Sequence, residues 1–278
     1  MPDLCRQTYR LSATTQGPIY PPAEVMDSQG NFVVVGMMPE KSGLAWGSAI
    51  VSSESNLPPF GSVAPYKVLK RIENMTREEK SEIILHTLPL PIPLNNYGMI
   101  FAPEQRPNAN SETRKSLPLH DAHIADLRVS DGKREISPIT LADWLDAEGV
   151  LNVELTDEKR RALFSFTFRK LTPNSVYTVM SLRENDLAEE SPSRPGPLGI
   201  PNVFITDSQG NADFWAELPN PFPDPTLHEN RIINVIVLYM SSRQTYGGAI
   251  GLYGLGGDIH AHLKLKTRSF DEFITITS

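Results

Sequence analysis

A single cysteine, Cys5, in 278 residues leaves no partner for an intramolecular disulfide. Whatever holds the fold is therefore packing and hydrogen bonding. No run of about 18 apolar residues occurs, so no membrane-spanning helix is expected. Basic residues are scarce: 26 Lys and Arg stand against 33 Asp and Glu, a formal net charge of −7, and no Lys/Arg block is present. Nucleic-acid binders present a basic face, so nucleic acid is not an expected partner. The Gly-x-Ser-x-Gly elbow of serine hydrolases is missing. Glu78-Glu79 and Glu189-Glu190 read as solvated faces rather than as catalytic carboxylates. Met1 to Gln7 has no apolar segment of the signal-peptide type.

The composition that is present, 40% hydrophobic and 21% charged, belongs to a globular chain rather than a disordered one. One segment occurs twice. Asp27-Ser28-Gln29-Gly30-Asn31 recurs as Asp207-Ser208-Gln209-Gly210-Asn211. Gly17-Pro18 and Gly196-Pro197 precede the two copies, and Pro39 and Pro219 close the strands that follow. This is the mark of a partial internal duplication. Each copy reads as a hairpin, with Gly at the positive-φ position and Asp and Asn bonding their own backbone. Only residues 1–26 precede the first copy, whereas strand pattern runs from Val150 to the second. The first unit is thus read as incomplete, through a truncated start or through loss of strands that leaves the rest docked on the second unit.

Three segments follow: an incomplete amino-terminal β unit over 1–102, a linker over 103–137, and a carboxy-terminal β domain over 138–278. Thr76 and Glu79 form a capping box that opens a helix expected from Thr76 to Leu88. A hairpin is expected around Asp131-Gly132 in the linker. Thr140 with Asp143 opens a short helix closed near Gly149. Phe164, Phe166 and Phe168 alternate with polar residues and mark one buried strand face. Ile232 to Met240 is a near-continuous apolar run, a central strand, and Asp258 to Lys266 is the last strand before a polar tail. About seven strands with turn signals between them predict an all-β fold, an antiparallel β-sandwich.

Residues 137–266 resemble uncharacterised bacterial extracellular β-sandwich domains. The likeness lies in Leu171 to Val179, in the Asp-x-x-Gly-Asn-Ala turn at Asp207, in Gln244-Thr245-Tyr246-Gly247-Gly248, and in Ile259-His260-Ala261-His262-Leu263. The resemblance implies a secreted or envelope location and carries no activity.

Two constellations point to chemistry. Asp258, His260 and His262 are spaced by two, so on a strand they share a face and can meet a divalent transition metal such as zinc, copper or iron. His228 is a possible fourth ligand, His86 is the counterpart of His262 in the first unit, and His120 with His123 forms a second pair. The same residues fit a plainer role as buried histidines bonded to loops. The second constellation is the glycine-rich stretch Gly247 to Gly257, with six glycines in eleven residues, flanked by Tyr246 and Tyr253. No helix or Lys follows it, which argues against a phosphate cradle. Tyr246, Gly247, Gly248 and Tyr253 instead suit a ligand-binding loop, with carbohydrate or protein as ligand. The preferred function is a non-catalytic binding or structural module, outside the cell or in its envelope, that uses the loops at 184–201, 219–229 and 244–257. A metal-dependent enzyme built on the Asp-x-His-x-His strand is the alternative, and a carbohydrate hydrolase or lyase with Tyr246 and Tyr253 as platform is the third reading.

Overall fold

A computed structural model describes residues 5–17, 22–41, 43–55, 65–90, 113–122, 137–157, 160–188, 193, 195–224, 229–249, 253–254 and 256–274. The described chain is all-β, with two antiparallel sheets and short helices. The smaller sheet contains β2 (Val25–Met26), β3 (Phe32–Glu40), β4 (Gly43–Val51), β5 (Val68–Arg71) and β6 (His86–Thr87), in the order β5-β4-β3-β2-β6. The larger is built on β1 (Arg6–Ala13), β7 (Glu148–Thr156), β8 (Arg161–Arg169), β9 (Val176–Arg183), β10 (Gly196–Pro197), β11 (Val203–Ile205), β12 (Ala212–Pro219), β13 (Ile232–Met240) and β14 (Ile259–Lys264). Its order is β10-β9-β13-β14-β1-β7-β8-β12, with β11 also on β9.

β1 stitches the larger sheet together. Arg6 to Leu11 pair with β7, and Ser12 and Ala13 then pair with β14. The boundary read at residue 102 therefore does not separate the strands, because residues 6–13 lie inside the sheet of the carboxy-terminal half. The expected linker is also partly ordered. Arg114 bridges to Leu90 and Pro118 to His86, so residues 113–122 run along the edge of the smaller sheet. The hairpin expected at Asp131-Gly132 lies outside the described residues.

The phenylalanine stripe of β8 is buried as expected, with Phe164, Phe166 and Phe168 at 0–2% exposure. Phe168 stacks on Phe204 of β11, with ring centroids 4.8 Å apart, and Phe204 stacks on Tyr177 of β9 at 5.4 Å. Each such ring stabilises the fold by about 1.5–3 kcal/mol through burial. All nine residues of β13 are buried. Val235, Val237 and Tyr239 enter the main core, while Ile233, Ile236, Leu238 and Met240 belong to a second cluster, so both faces of this strand are covered. That is why its sequence reads as one apolar run rather than as an alternation. The tail is not wholly polar in its role: Phe270 and Phe273 pack against Phe222 and are buried.

The helices are shorter than expected. α1 spans Arg77–Ser81 and carries the capping box: Thr76 N–H donates to Glu79 Oε2 at 2.8 Å, and Glu79 N–H donates to Thr76 Oγ1 at 3.2 Å. It does not reach Leu88. Ile83 and Leu85 are pulled into extended pairing, with Leu85 N–H on the Ile139 carbonyl and Leu141 N–H on the Ile83 carbonyl. Adjacent β-branched residues at Ile83 and Ile84 favour that outcome. α2 spans Leu141–Leu145, with Asp143 N–H capped by Thr140 Oγ1. Gly149 is not its stop: it lies within β7, where a Cβ would come within 2.9 Å of Leu263.

The two copies of Asp-x-x-Gly-Asn fold alike. In each, Asp Oδ1 accepts from the backbone N–H groups two and four residues on, at 2.8–2.9 Å. The Asn side chain donates to Asp Oδ2 at 3.2 Å in both. Gly30 and Gly210 have φ of 81° and 77°. The turns serve different ends, however. Asp27 closes a narrow hairpin in which Met26 faces Phe32. The second copy is not a hairpin: it joins β11, paired with β9, to β12, paired with β8.

This difference yields a measurable contrast. Gly30→Ala meets open space and should cost only the left-handed strain, about 1–2 kcal/mol. Gly210→Ala places its Cβ 2.0 Å from the Leu171 carbonyl oxygen and should cost more than about 3 kcal/mol, or prevent folding. Urea unfolding of the two variants beside the wild type checks the order.

Candidate functional site

β14 carries the residues that the sequence nominates as metal ligands, and each is engaged by the protein itself. Asp258 is buried and its Oδ2 pairs with Arg114 Nη1 at 2.5 Å. His260 places Nε2 2.8 Å from Ser241 Oγ and Nδ1 3.0 Å from the Glu24 carbonyl. A carbonyl can only accept, so Nδ1 carries the proton and Nε2 accepts from the Ser241 hydroxyl. His262 is the opposite tautomer. Its Nε2–H donates to the Trp144 carbonyl at 3.0 Å, and its Nδ1 faces Tyr177 OH at 3.0 Å, which in turn accepts from Thr172 N–H at 3.0 Å. The imidazole also stacks on the Trp144 indole, with centroids 3.7 Å apart.

Neither His260 nor His262 has a ring nitrogen left with an unused lone pair for a metal. Among the described residues no group of three His, Cys, Asp or Glu side chains is placed to hold one. His260 lies beside Tyr239, and His262 beside Trp144 and Tyr177, so both face the core rings; a bulge interrupts the alternation of β14 between them and Lys264. Val237 faces Leu263 and Leu238 faces Ala261, so His262 is the extra residue on β14. Burial pushes the two histidines down, His260 to about 4 and His262 to about 3, so both are neutral at physiological pH.

What Asp258, His260, His262 and Lys264 have in common is where they bind. Arg114, Glu24, Trp144 and Gln16 all lie on segments that precede β7. Lys264 Nζ donates to the Gln16 and Gly17 carbonyls at 2.9 and 3.0 Å and lies 5.6 Å from the Trp46 ring centroid. Burial lowers this ammonium to about 8, opposed by the charge of Glu24. The alternating polar stripe of β14 is thus a seam between the chain's two halves. Sequence reasoning missed the other side of that seam, Thr14, Thr15, Gln16, Glu24 and Trp144. One tripeptide and two residues far from it, Glu24 and Trp144, leave no periodic signal.

Of the remaining histidines, His86 and His120 are described, and each has a local neighbour. His86 Nδ1 is 2.9 Å from the Ile84 carbonyl, and His120 Nε2 is 3.7 Å from Asp121 of its own loop. His123 and His228 lie outside the described residues.

The glycine-rich loop brings its nominated residues together. Tyr246 and Tyr253 have ring centroids 6.3 Å apart, tilted by 60°. Gln244 Nε2 donates to Tyr246 OH at 2.6 Å, and Tyr253 is 44% exposed. Gly247 takes φ 55°, and at Gly248 a Cβ would sit 2.7 Å from Ile200 Cγ1. The absent side chain lets this loop lie against Ile200, which is itself 82% exposed. The three loops expected to form one surface do not do so. The loops at 184–201 and 244–257 meet at Ile200 and Gly248. Residues 219–224 sit at the other end, where Asn220 N–H donates to the Arg160 carbonyl. Trp215, on the outward face of β12, is 70% exposed and faces Ser165 across the strand pair.

Comparison with protein-family models, with curated proteins and with solved structures finds no match to this chain. No helix among the described residues is long and apolar enough to cross a membrane.

The buried histidines make acid a specific stress. Unfolded histidine titrates near 6.5, above the folded values, so the unfolded chain binds more protons between about pH 6.5 and 4. Stability is full above pH 6.5 and falls as the pH drops through that window. His260 alone should account for a loss on the order of 3 kcal/mol. His262→Phe keeps an aromatic ring beside Trp144 and removes one titration. It should lower stability at pH 7 by about 1–3 kcal/mol and flatten the decline between pH 6.5 and 4.5. Urea midpoints measured at three pH values test both statements.

Proposed function

We propose that this chain is a non-catalytic β-sandwich binding module that takes carbohydrate through exposed aromatic residues. The sandwich reading is supported by the larger sheet folding over on itself, so that rings of β8 and β12 pack on rings of β9 and β11, with Phe204 in contact with both Phe168 and Phe214. Internal duplication is supported by the two superimposable Asp-x-x-Gly-Asn bonding patterns. The observation that carries the binding function is the loop pair Tyr246 and Tyr253. Their rings are held together by a loop whose glycines fit it against the 196–203 segment, and Gln244 stands beside them with a polar side chain.

A sugar offers an apolar C–H face to an aromatic ring and hydroxyl groups to polar neighbours, and this loop supplies both. Catalysis would need an acid or nucleophile beside the tyrosines. The perturbed acid–base groups His260 and His262 are instead fully buried and bonded within the seam. The extracellular or envelope location remains part of this proposal and rests on the sequence resemblance of residues 137–266 alone.

Glycan-array binding of the full chain tests the proposal. Tyr253→Ala should reduce binding about tenfold, a loss of about 1.4 kcal/mol, without changing the circular dichroism spectrum. Trp215→Ala should leave that binding intact. If Trp215→Ala abolishes it and Tyr253→Ala does not, the site is the sheet face and the loop assignment fails. Absence of any glycan binding overturns the carbohydrate reading.

A further inference from the structure

Where the smaller sheet meets β9, β13 and β14 there is a cavity of about 400 Å³, separate from the tyrosine loop. Its wall is apolar: Leu44 of β4, Leu182 of β9, Leu187 of the turn that follows, and Ile236 of β13. Lys264 and Lys266 line the same cavity. A volume of this size, mostly apolar with a few convergent charges, has the dimensions and chemistry of small-ligand sites.

The two lysines are gathered on purpose by local geometry. Their ammonium groups lie 5.6 and 5.5 Å from the centroid of one indole, Trp46. The bulge at His262 helps to place Lys264 here. Beyond it Lys264 pairs with Ile236, a member of the second cluster, rather than continuing on the side of Tyr239. Lys264 is 4% exposed. Its ammonium has three N–H groups, and two of them go to the Gln16 and Gly17 carbonyls. Neither of those acceptors is an anion, although the charge of the buried Glu24 carboxylate favours the protonated form. Arg268, a third cation on the rim, is already paired with the Glu184 carboxylate. Lys266, which is exposed, adds a further positive charge at this wall for an entering anion to meet.

We propose that this cavity binds a single anionic amphiphile, a medium-chain carboxylate, with the carboxylate at Lys264 and Lys266 and the alkyl chain along Leu44, Leu182, Leu187 and Ile236. Charge selects the head group. A wholly polar anion would leave the leucine and isoleucine wall wet, and a neutral alkane would leave the Lys266 charge unmatched. The binding is independent of the glycan reading, because it uses none of the residues of the tyrosine loop.

Isothermal titration of the full chain with decanoate, below its micelle concentration, tests the site against decyltrimethylammonium, which has the same tail and the opposite charge. The expected result is saturable one-site binding of decanoate, with the cation at least about tenfold weaker. Lys266→Glu and Leu44→Asp change exposed side chains, so the fold should survive, as circular dichroism will verify. Each should weaken decanoate binding about tenfold. Lack of saturable binding overturns the proposal, as does equal affinity for the two amphiphiles or indifference to both substitutions. Co-sedimentation with phosphatidylglycerol vesicles without binding of monomeric decanoate also overturns it, since that is recognition of a bilayer surface rather than of one acyl chain.

Discussion

The structure depends on three buried polar residues, Thr14, Thr15 and Gln16, which bond to both sheets at once. Thr14 N–H donates to the His262 carbonyl of the larger sheet, and Thr14 Oγ1 donates to the Val35 carbonyl of the smaller one. Thr15 exchanges bonds with Val33 and Val35. The Gln16 amide accepts from Met37 N–H and donates to the Met37 carbonyl, as a further strand residue would. A buried peptide group without a partner costs on the order of 1–3 kcal/mol, so this segment must be satisfied on both sides. Its fit is close: at Gly36 a Cβ would come within 2.6 Å of Gln16 Oε1, so only glycine is accommodated there.

Trp144 extends that seam. Its indole N–H donates to the Thr14 carbonyl at 2.8 Å, its own carbonyl accepts from His262, and its ring packs on both His262 and Tyr239. One residue of a five-residue helix thus joins the end of β1, β13 and β14. Such a network is stable only when its members are bonded, and the burial it imposes is why the two histidines stay neutral. The same requirement accounts for the fate of the metal hypothesis. The nitrogens that a metal would need already hold the halves of the molecule together. Lys264 differs from the histidines in keeping its charge, which two carbonyls and the nearby Glu24 carboxylate stabilise.

Much of the secondary structure was legible beforehand. Ile232 to Met240 was read as a central strand from its apolar run, and β13 has those bounds. The β8 phenylalanines, the Thr76–Glu79 box and the Thr140 cap all depend on residues within a few positions of each other, so local pattern suffices. The helix expected to Leu88 failed because partners at Ile139 and Leu119 compete for Ile83 and Leu85, and neither partner is near in sequence. The second Asp-x-x-Gly-Asn failed as a hairpin for a related reason. Its internal hydrogen bonds are local and were read correctly, but which strands flank it is a matter of pairing with β8 and β9.

The sequence by itself determined the all-β character, the turn chemistry, the aromatic strand face and the two nominated clusters, because each is set by side-chain periodicity or by φ at a single glycine. Tertiary structure alone decided that β1 would complete the larger sheet, that a bulge would turn Lys264 away from the histidines, and that His260 and His262 would bind Glu24 and Trp144. The first and last of those outcomes rest on contacts between residues more than a hundred positions apart. A hydrogen bond at that separation leaves no trace in spacing, since either partner alone is an ordinary residue until the backbone brings them within 3.0 Å.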